Sequence, residues 1–196
     1  MPMLAGIAVT LLLAGGGATA YVLAFHQPAT RHASPLPSRA ISTTSVGLVV
    51  TAGAPGTAGE KLFELVDTRA SLPEFSPLTA AEAAAGSPQW TAALMGGNTY
   101  IFIFLASDTC LTAIDPGGRP ALAMRHCNLT TRQRWRRATS GVIAAGHDYF
   151  QFVNTGDGMC LTITGRQADG GYGTGLAPCT TPPPASQLIA FWWSSA

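Results

Sequence analysis

Four cysteines, Cys110, Cys127, Cys160 and Cys179, are the residues best suited to chemistry, and all lie beyond residue 109. An even set of thiols in one stretch can form a disulfide framework, hold a metal ion, or stay reduced inside a cytosolic core. His126 directly precedes Cys127, yet no Cys-x-x-Cys or paired-histidine spacing accompanies it, so a zinc site is not expected. His26, His32 and His147 are isolated. There is no Gly-x-Ser-x-Gly elbow, no His-Glu-x-x-His, no phosphate loop and no dinucleotide fingerprint. The 10 acidic residues are scattered, with no pair set out as in a glycosidase. The expectation is no enzyme, and hence no catalytic residue, metal or cofactor.

Charge excludes other classes. A chain that is 47% hydrophobic and 11% charged is not disordered throughout. A net charge of +1 creates no global field for nucleic acid, and no specific nucleic-acid signal is present. One local exception is the string RQRWRR, which gathers Arg132, Arg134, Arg136 and Arg137. On a strand with Trp135 inward, Arg134 and Arg136 project together from the opposite face, a candidate for an anionic polymer. A solvated strand face is the competing reading. Asn128-Leu129-Thr130 also fits the N-glycosylation pattern.

The cysteines sit inside a repeated string. YIFIFLASDTCLT begins at Tyr100 and FQFVNTGDGMCLT at Phe150, each an aromatic strand, a polar turn and a short strand opening with Cys. Each copy continues to a second Cys and closes on a glutamine-led apolar strand, QRW from Gln133 and QLIAFWW from Gln187. A degraded third copy is read upstream, from Phe63 (FELVDT) to SPQW at Ser87 to Trp90. The starts at Phe63, Tyr100 and Phe150 are 37 and 50 residues apart, a period at which repeat architectures occur. One such unit cannot bury its apolar face alone, so three share a core, the alternative being two units completed by a partner chain. A short helix inserted in the first copy is read at Ala80 to Gly86.

The succession aromatic strand, Cys-Leu, Cys, Gln-x-Trp resembles the ricin B-chain type of β-trefoil lectin, the QxW repeat family, over residues 60–193. The resemblance implies an all-β fold, a β-trefoil of three repeats. With the repeat, it implies the pairs Cys110–Cys127 and Cys160–Cys179. It also implies a sugar site in each working unit: an Asp two residues after the first Cys, an Asn before the Gln, and an aromatic platform between the cysteines. Those Asp positions hold Thr112 and Thr162, the Asn positions Arg132 and Ser186, and Ile189 replaces the third Trp. A hydroxyl is a poor substitute for a bidentate carboxylate. Asp115 is the replacement in the second unit, beside Arg125, His126 and Gln133. Asp169 and Tyr172 offer a carboxylate and a ring in the third. The candidate carbohydrate residues are thus Thr112, Asp115, Gln133, Thr162, Asp169, Tyr172 and Gln187, with both glutamines read as supports for backbone turns.

Residues Met3 to Phe25 carry no charge and, as helix, would rise about 34 Å, enough to cross a bilayer. Residues 1–25 read as a signal peptide cleaved after Ala20 or as a retained transmembrane anchor. Residues 26–59, rich in Pro, Ser, Thr and Ala, read as a flexible linker, and residues 60–196 as the β-trefoil domain. The whole predicts an N-terminal apolar helix and a linker before a monomeric, lectin-like binding module, secreted or anchored outside the cytoplasm. Its partner would be a carbohydrate or cell-surface polymer, and the membrane where the leader is uncleaved. The alternative is a trefoil scaffold that contacts a protein or an anionic polymer through Arg132 to Arg137 without reading sugars.

Overall fold

The structure, a computed structural model, describes residues 42–51, 62–67, 72–79, 81–82, 89–144, 147–168 and 170–193. The apolar helix expected over residues 1–25 lies outside them. Twelve strands follow in chain order: β1 Ser42–Thr51, β2 Leu62–Asp67, β3 Pro73–Pro77, β4 Trp90–Gly96, β5 Thr99–Phe104 and β6 Thr109–Ile114, then β7 Ala121–His126, β8 Trp135–Ala144, β9 His147–Asn154, β10 Cys160–Arg166, β11 Tyr172–Ala177 and β12 Ile189–Trp193. Single 3-10 turns at Thr131–Gln133 and Ala185–Gln187 precede β8 and β12.

Strands β1, β4, β5, β8, β9 and β12 pair antiparallel in that order, and β12 returns to β1. The ring is closed, which leaves it no free edge for another chain to extend. The remaining strands form three hairpins, β2–β3, β6–β7 and β10–β11, each running on from the first strand of its unit. The β6–β7 hairpin turns through Gly117 and Gly118 at φ 66° and 80°, a left-handed backbone that side chains with a Cβ disfavour.

Register shows the threefold repetition in the core. Leu48, Phe102 and Phe152 occupy one equivalent position on β1, β5 and β9. Leu65, Leu111 and Leu161 do so on β2, β6 and β10, and all six are buried. Facing them are Phe75, Met124 and Leu176 on the hairpins' second strands. Trp90, Trp135 and Ile189, at most 0% exposed, open β4, β8 and β12. Both indoles lock the layers together, Trp90 Nε1 donating to the Leu65 carbonyl at 2.6 Å and Trp135 Nε1 to that of Leu111 at 3.1 Å.

This register corrects the first unit. Phe63 lies on the second strand of its unit, whereas Tyr100 and Phe150 lie on first strands. Unit one begins with β1, inside the stretch read as a linker, and the ring needs that strand: Val46 to Val50 pair with β12 and Ser42 to Val46 with β4. Val46, Leu48 and Val49 are buried, which is the burial a spacer would lack. Of the helix expected at Ala80 to Gly86, residues 81–82 are described and helical. Thr79 and Glu82 cap it reciprocally, Thr79 N–H donating to Glu82 Oε2 at 2.8 Å and Glu82 N–H to Thr79 Oγ1 at 3.2 Å.

Where units two and three place Cys110 and Cys160, unit one places Glu64, opposite Val49. Its carboxyl fits against the bare backbone of Gly47, where a Cβ would come within 3.0 Å of Oε1. Burial raises its pKa from 4.5 to about 7, partly opposed by the Gln89 backbone hydrogen bond and helped by the charge of Glu82. A carboxyl whose pKa rises on folding binds more protons folded than unfolded, so its stabilising share is complete below pH 4.5 and is lost as pH rises to about 7. Glu64→Gln keeps an acceptor without the charge. It should therefore leave the melting temperature unchanged near pH 4.5 and raise stability at pH 8 by about 1–2 kcal/mol after allowance for solvent screening. Thermal melts of both proteins across pH 4 to 8 check this, and parallel curves would refute it.

Candidate functional site

One open hollow of about 710 Å³ lies on unit two. Strand β6 and the residue after it bring Thr112, Ala113, Ile114 and Asp115 to it, and the end of β7 brings Arg125 and His126. The connection to β8 brings Asn128 and residues 130–133. That connection is pinned at one end by the Cys110–Cys127 disulfide, with sulfurs 2.02 Å apart. At the other end Gln133, 1% exposed, ties the loop to the hairpin. Its Oε1 accepts from the Asn128 and Leu129 amides at 2.8 and 3.0 Å, and its Nε2 donates to the His126 carbonyl at 2.8 Å and Thr112 Oγ1 at 3.1 Å. Buried polar atoms must be satisfied in this way, and here doing so fixes the wall of the hollow.

Thr112 is spent in the same network. Its hydroxyl donates to the Cys110 carbonyl at 2.9 Å while accepting from Gln133, so it offers a ligand little. Asp115, Arg125, His126 and Arg132 are exposed around the opening. Asn154 braces Arg132 from unit three, its Nδ2 donating to the Arg132 carbonyl at 2.9 Å.

Unit three is built alike but presents less. Thr162 is buried and its hydroxyl donates to the Ser186 and Ile163 carbonyls at 3.1 and 3.3 Å. Gln187 is buried too, its Nε2 donating to the Pro178 carbonyl at 3.0 Å and its Oε1 accepting from Gln151 at 2.7 Å. Tyr172 packs edge-on against Phe63, ring centroids 4.8 Å apart, beside the core. It is half-buried. Asp169 lies outside the described residues. Cys160–Cys179 is bonded, with sulfurs 2.03 Å apart.

The decisive features are now together: a closed ring with three hairpins, a Trp-Leu lock used twice, two disulfides within units, and a hollow between β6, β7 and the Gln133 loop. Residues 87–177 match the ricin-type beta-trefoil lectin domain-like family. Solved β-trefoil structures agree in fold. A designed threefold-symmetric protein, ThreeFoil, has a TM-score of 0.53 at 14% identity, covering 76% of this chain and 98% of its own. The Polyporus squamosus lectin, solved with a human-type influenza-binding epitope, has 0.52 at 13%, covering 76% of this chain and 48% of the lectin. The cytolethal distending toxin from Actinobacillus actinomycetemcomitans has 0.52 at 14%, covering 82% and 96%. At these identities the likeness is one of fold. No curated protein matches the sequence.

Within this trefoil fold the four arginines of RQRWRR separate. Arg132 lines the hollow, and Arg134 Nε donates to the Leu129 carbonyl at 3.1 Å. Arg137 lies over the Phe150 ring at 4.4 Å, a cation–π contact. Arg136 is exposed, next to buried Trp135. Arg134 is thus tied through Nε to its own loop. Sequence reasoning missed Asn128, Thr130 and Thr131 as lining residues. Their position between the second Cys and the Gln of unit two was the available signal.

The disulfides occupy the four sulfurs, which displaces the metal and free-thiol readings of the cysteines. Such bonds persist outside reducing compartments. Among the described residues no helix is long and apolar enough to cross a membrane.

Proposed function

We propose that this chain is an extracytoplasmic carbohydrate-binding module, secreted or held at a membrane by residues 1–25, which binds in the hollow of unit two. The observation that carries the reading is the hollow itself, where Asp115, Arg125, His126 and Arg132 converge around a loop fixed by Gln133 and Cys127. The family match adds the substrate class. Unit three is a degraded site, because Thr162 and Gln187 satisfy backbone groups and Tyr172 serves the core. The module acts without catalysis and as a monomer. The competing reading, a protein or anionic-polymer contact along Arg132 to Arg137, retains the exposed Arg136 as its support.

A glycan array with the wild type and Asp115→Ala tests the proposal. Asp115 is exposed, so the variant folds normally, and the bound glycans should lose about tenfold or more in affinity with the one acidic residue among the described lining. An array without a bound glycan, or equal binding by both proteins, overturns it.

A further inference from the structure

We infer that the unit-two hollow selects a saccharide residue bearing a carboxylate, a uronate, over its neutral counterpart. This rests on the carbohydrate reading above and goes beyond it in naming the chemical class. Arg125, Arg132 and His126 line the hollow beside one acidic residue, Asp115. Among the described residues no ion pair with Asp115 neutralises either arginine. The hollow is thus locally cationic within a chain of net charge +1.

The groups that would hold a neutral sugar are missing. A vicinal diol needs a strong acceptor at the floor, and the floor hydroxyl of Thr112 is already engaged with Cys110 and Gln133. Among the described residues no Phe, Tyr or Trp lines the hollow, so the apolar face of a sugar finds only Ala113 and Ile114. Apart from Asp115, the charged groups there are donors. Each guanidinium offers a planar fork that matches the two oxygens of a carboxylate, and such charge-assisted bonds are about twice as strong as neutral ones. Arg132 is also held in place. Its backbone sits in the 3-10 turn, its carbonyl accepts from Asn154, and a Cβ at Gly156 would come within 3.0 Å of its Cγ. Asp115, on the same hollow, is then left to accept from sugar hydroxyls.

Titration calorimetry with trigalacturonate and with neutral galactotriose distinguishes the outcomes. The uronate should bind at least about tenfold more tightly at low salt, and the advantage should shrink as ionic strength rises. Arg125→Gln and Arg132→Gln should each weaken uronate binding about five- to tenfold and galactotriose binding by less, so that the preference for the uronate falls, with the melting temperature unchanged because both side chains are exposed. Equal or tighter binding of the neutral sugar overturns this inference and leaves the carbohydrate reading standing. Uronate binding unchanged in the double variant also overturns it. Failure of every glycan on an array to bind removes both.

Discussion

Trp135→Ala should cost about 3–5 kcal/mol, a large part of the roughly 5–15 kcal/mol that holds a domain folded. The side chain is 0% exposed and lies in the layer shared with Trp90 and Ile189, so no solvent or mobile neighbour can fill the space it leaves. Its indole also donates to the Leu111 carbonyl, which would become a buried acceptor without that donor. Volume carries most of the effect, because Ile189 holds the equivalent place in unit three with no donor at all. Trp135→Phe should accordingly lose less than half as much. Urea unfolding of the three proteins measures both. A loss under about 1 kcal/mol for the alanine variant would mean that the three units do not share this layer.

The same residues explain how far the sequence could be read. Units two and three were legible because each writes an aromatic first strand, Cys-Leu-Thr and a closing Gln, and the register confirms Leu111 and Leu161 as equivalent core positions. Unit one lacks those marks. Its first strand, STTSVGLVVT, carries Val46 and Leu48 where the others carry aromatics, and its Ser and Thr blend with the preceding segment. The first aromatic residue of the unit is Phe63, one strand later. The reliable marker was Trp90, whose bond to Leu65 repeats that of Trp135 to Leu111. Tyr172 was legible as a ring of the third unit, and its edge contact with Phe63 was not, because that partner lies in unit one, far away in the sequence. Asp115 was legible because it follows Thr112 by three residues on the same side of the hairpin. The burial of Gln133 and Gln187 was legible only as a role, since their partners come from loops that no periodicity marks.

Removing one disulfide should separate stability from binding. Cys110 and Cys127 are 17 residues apart and Cys160 and Cys179 are 19, so each double alanine variant should lose about 3 kcal/mol as the unfolded chain regains loop freedom. The units should still close. Unit one does so with no cysteine, having Glu64 in place of the first Cys and a Leu78 N–H to Leu62 carbonyl bond of 2.9 Å beside the strand ends. The two staples lie in different units and share no partner, so their losses should add to about 6 kcal/mol, near the whole stability of a small domain. Ligand binding should not follow the same symmetry. Cys127 anchors the connection that walls the unit-two hollow, whereas Cys179 belongs to a unit in which Thr162 and Gln187 bond to its own backbone. Cys110→Ala with Cys127→Ala should therefore weaken glycan binding at a temperature where the protein is still folded, and Cys160→Ala with Cys179→Ala should leave it unchanged. Denaturant unfolding and calorimetry on the two variants give both quantities. Equal weakening in the two would show that the ligand does not sit against the loop held by Cys127.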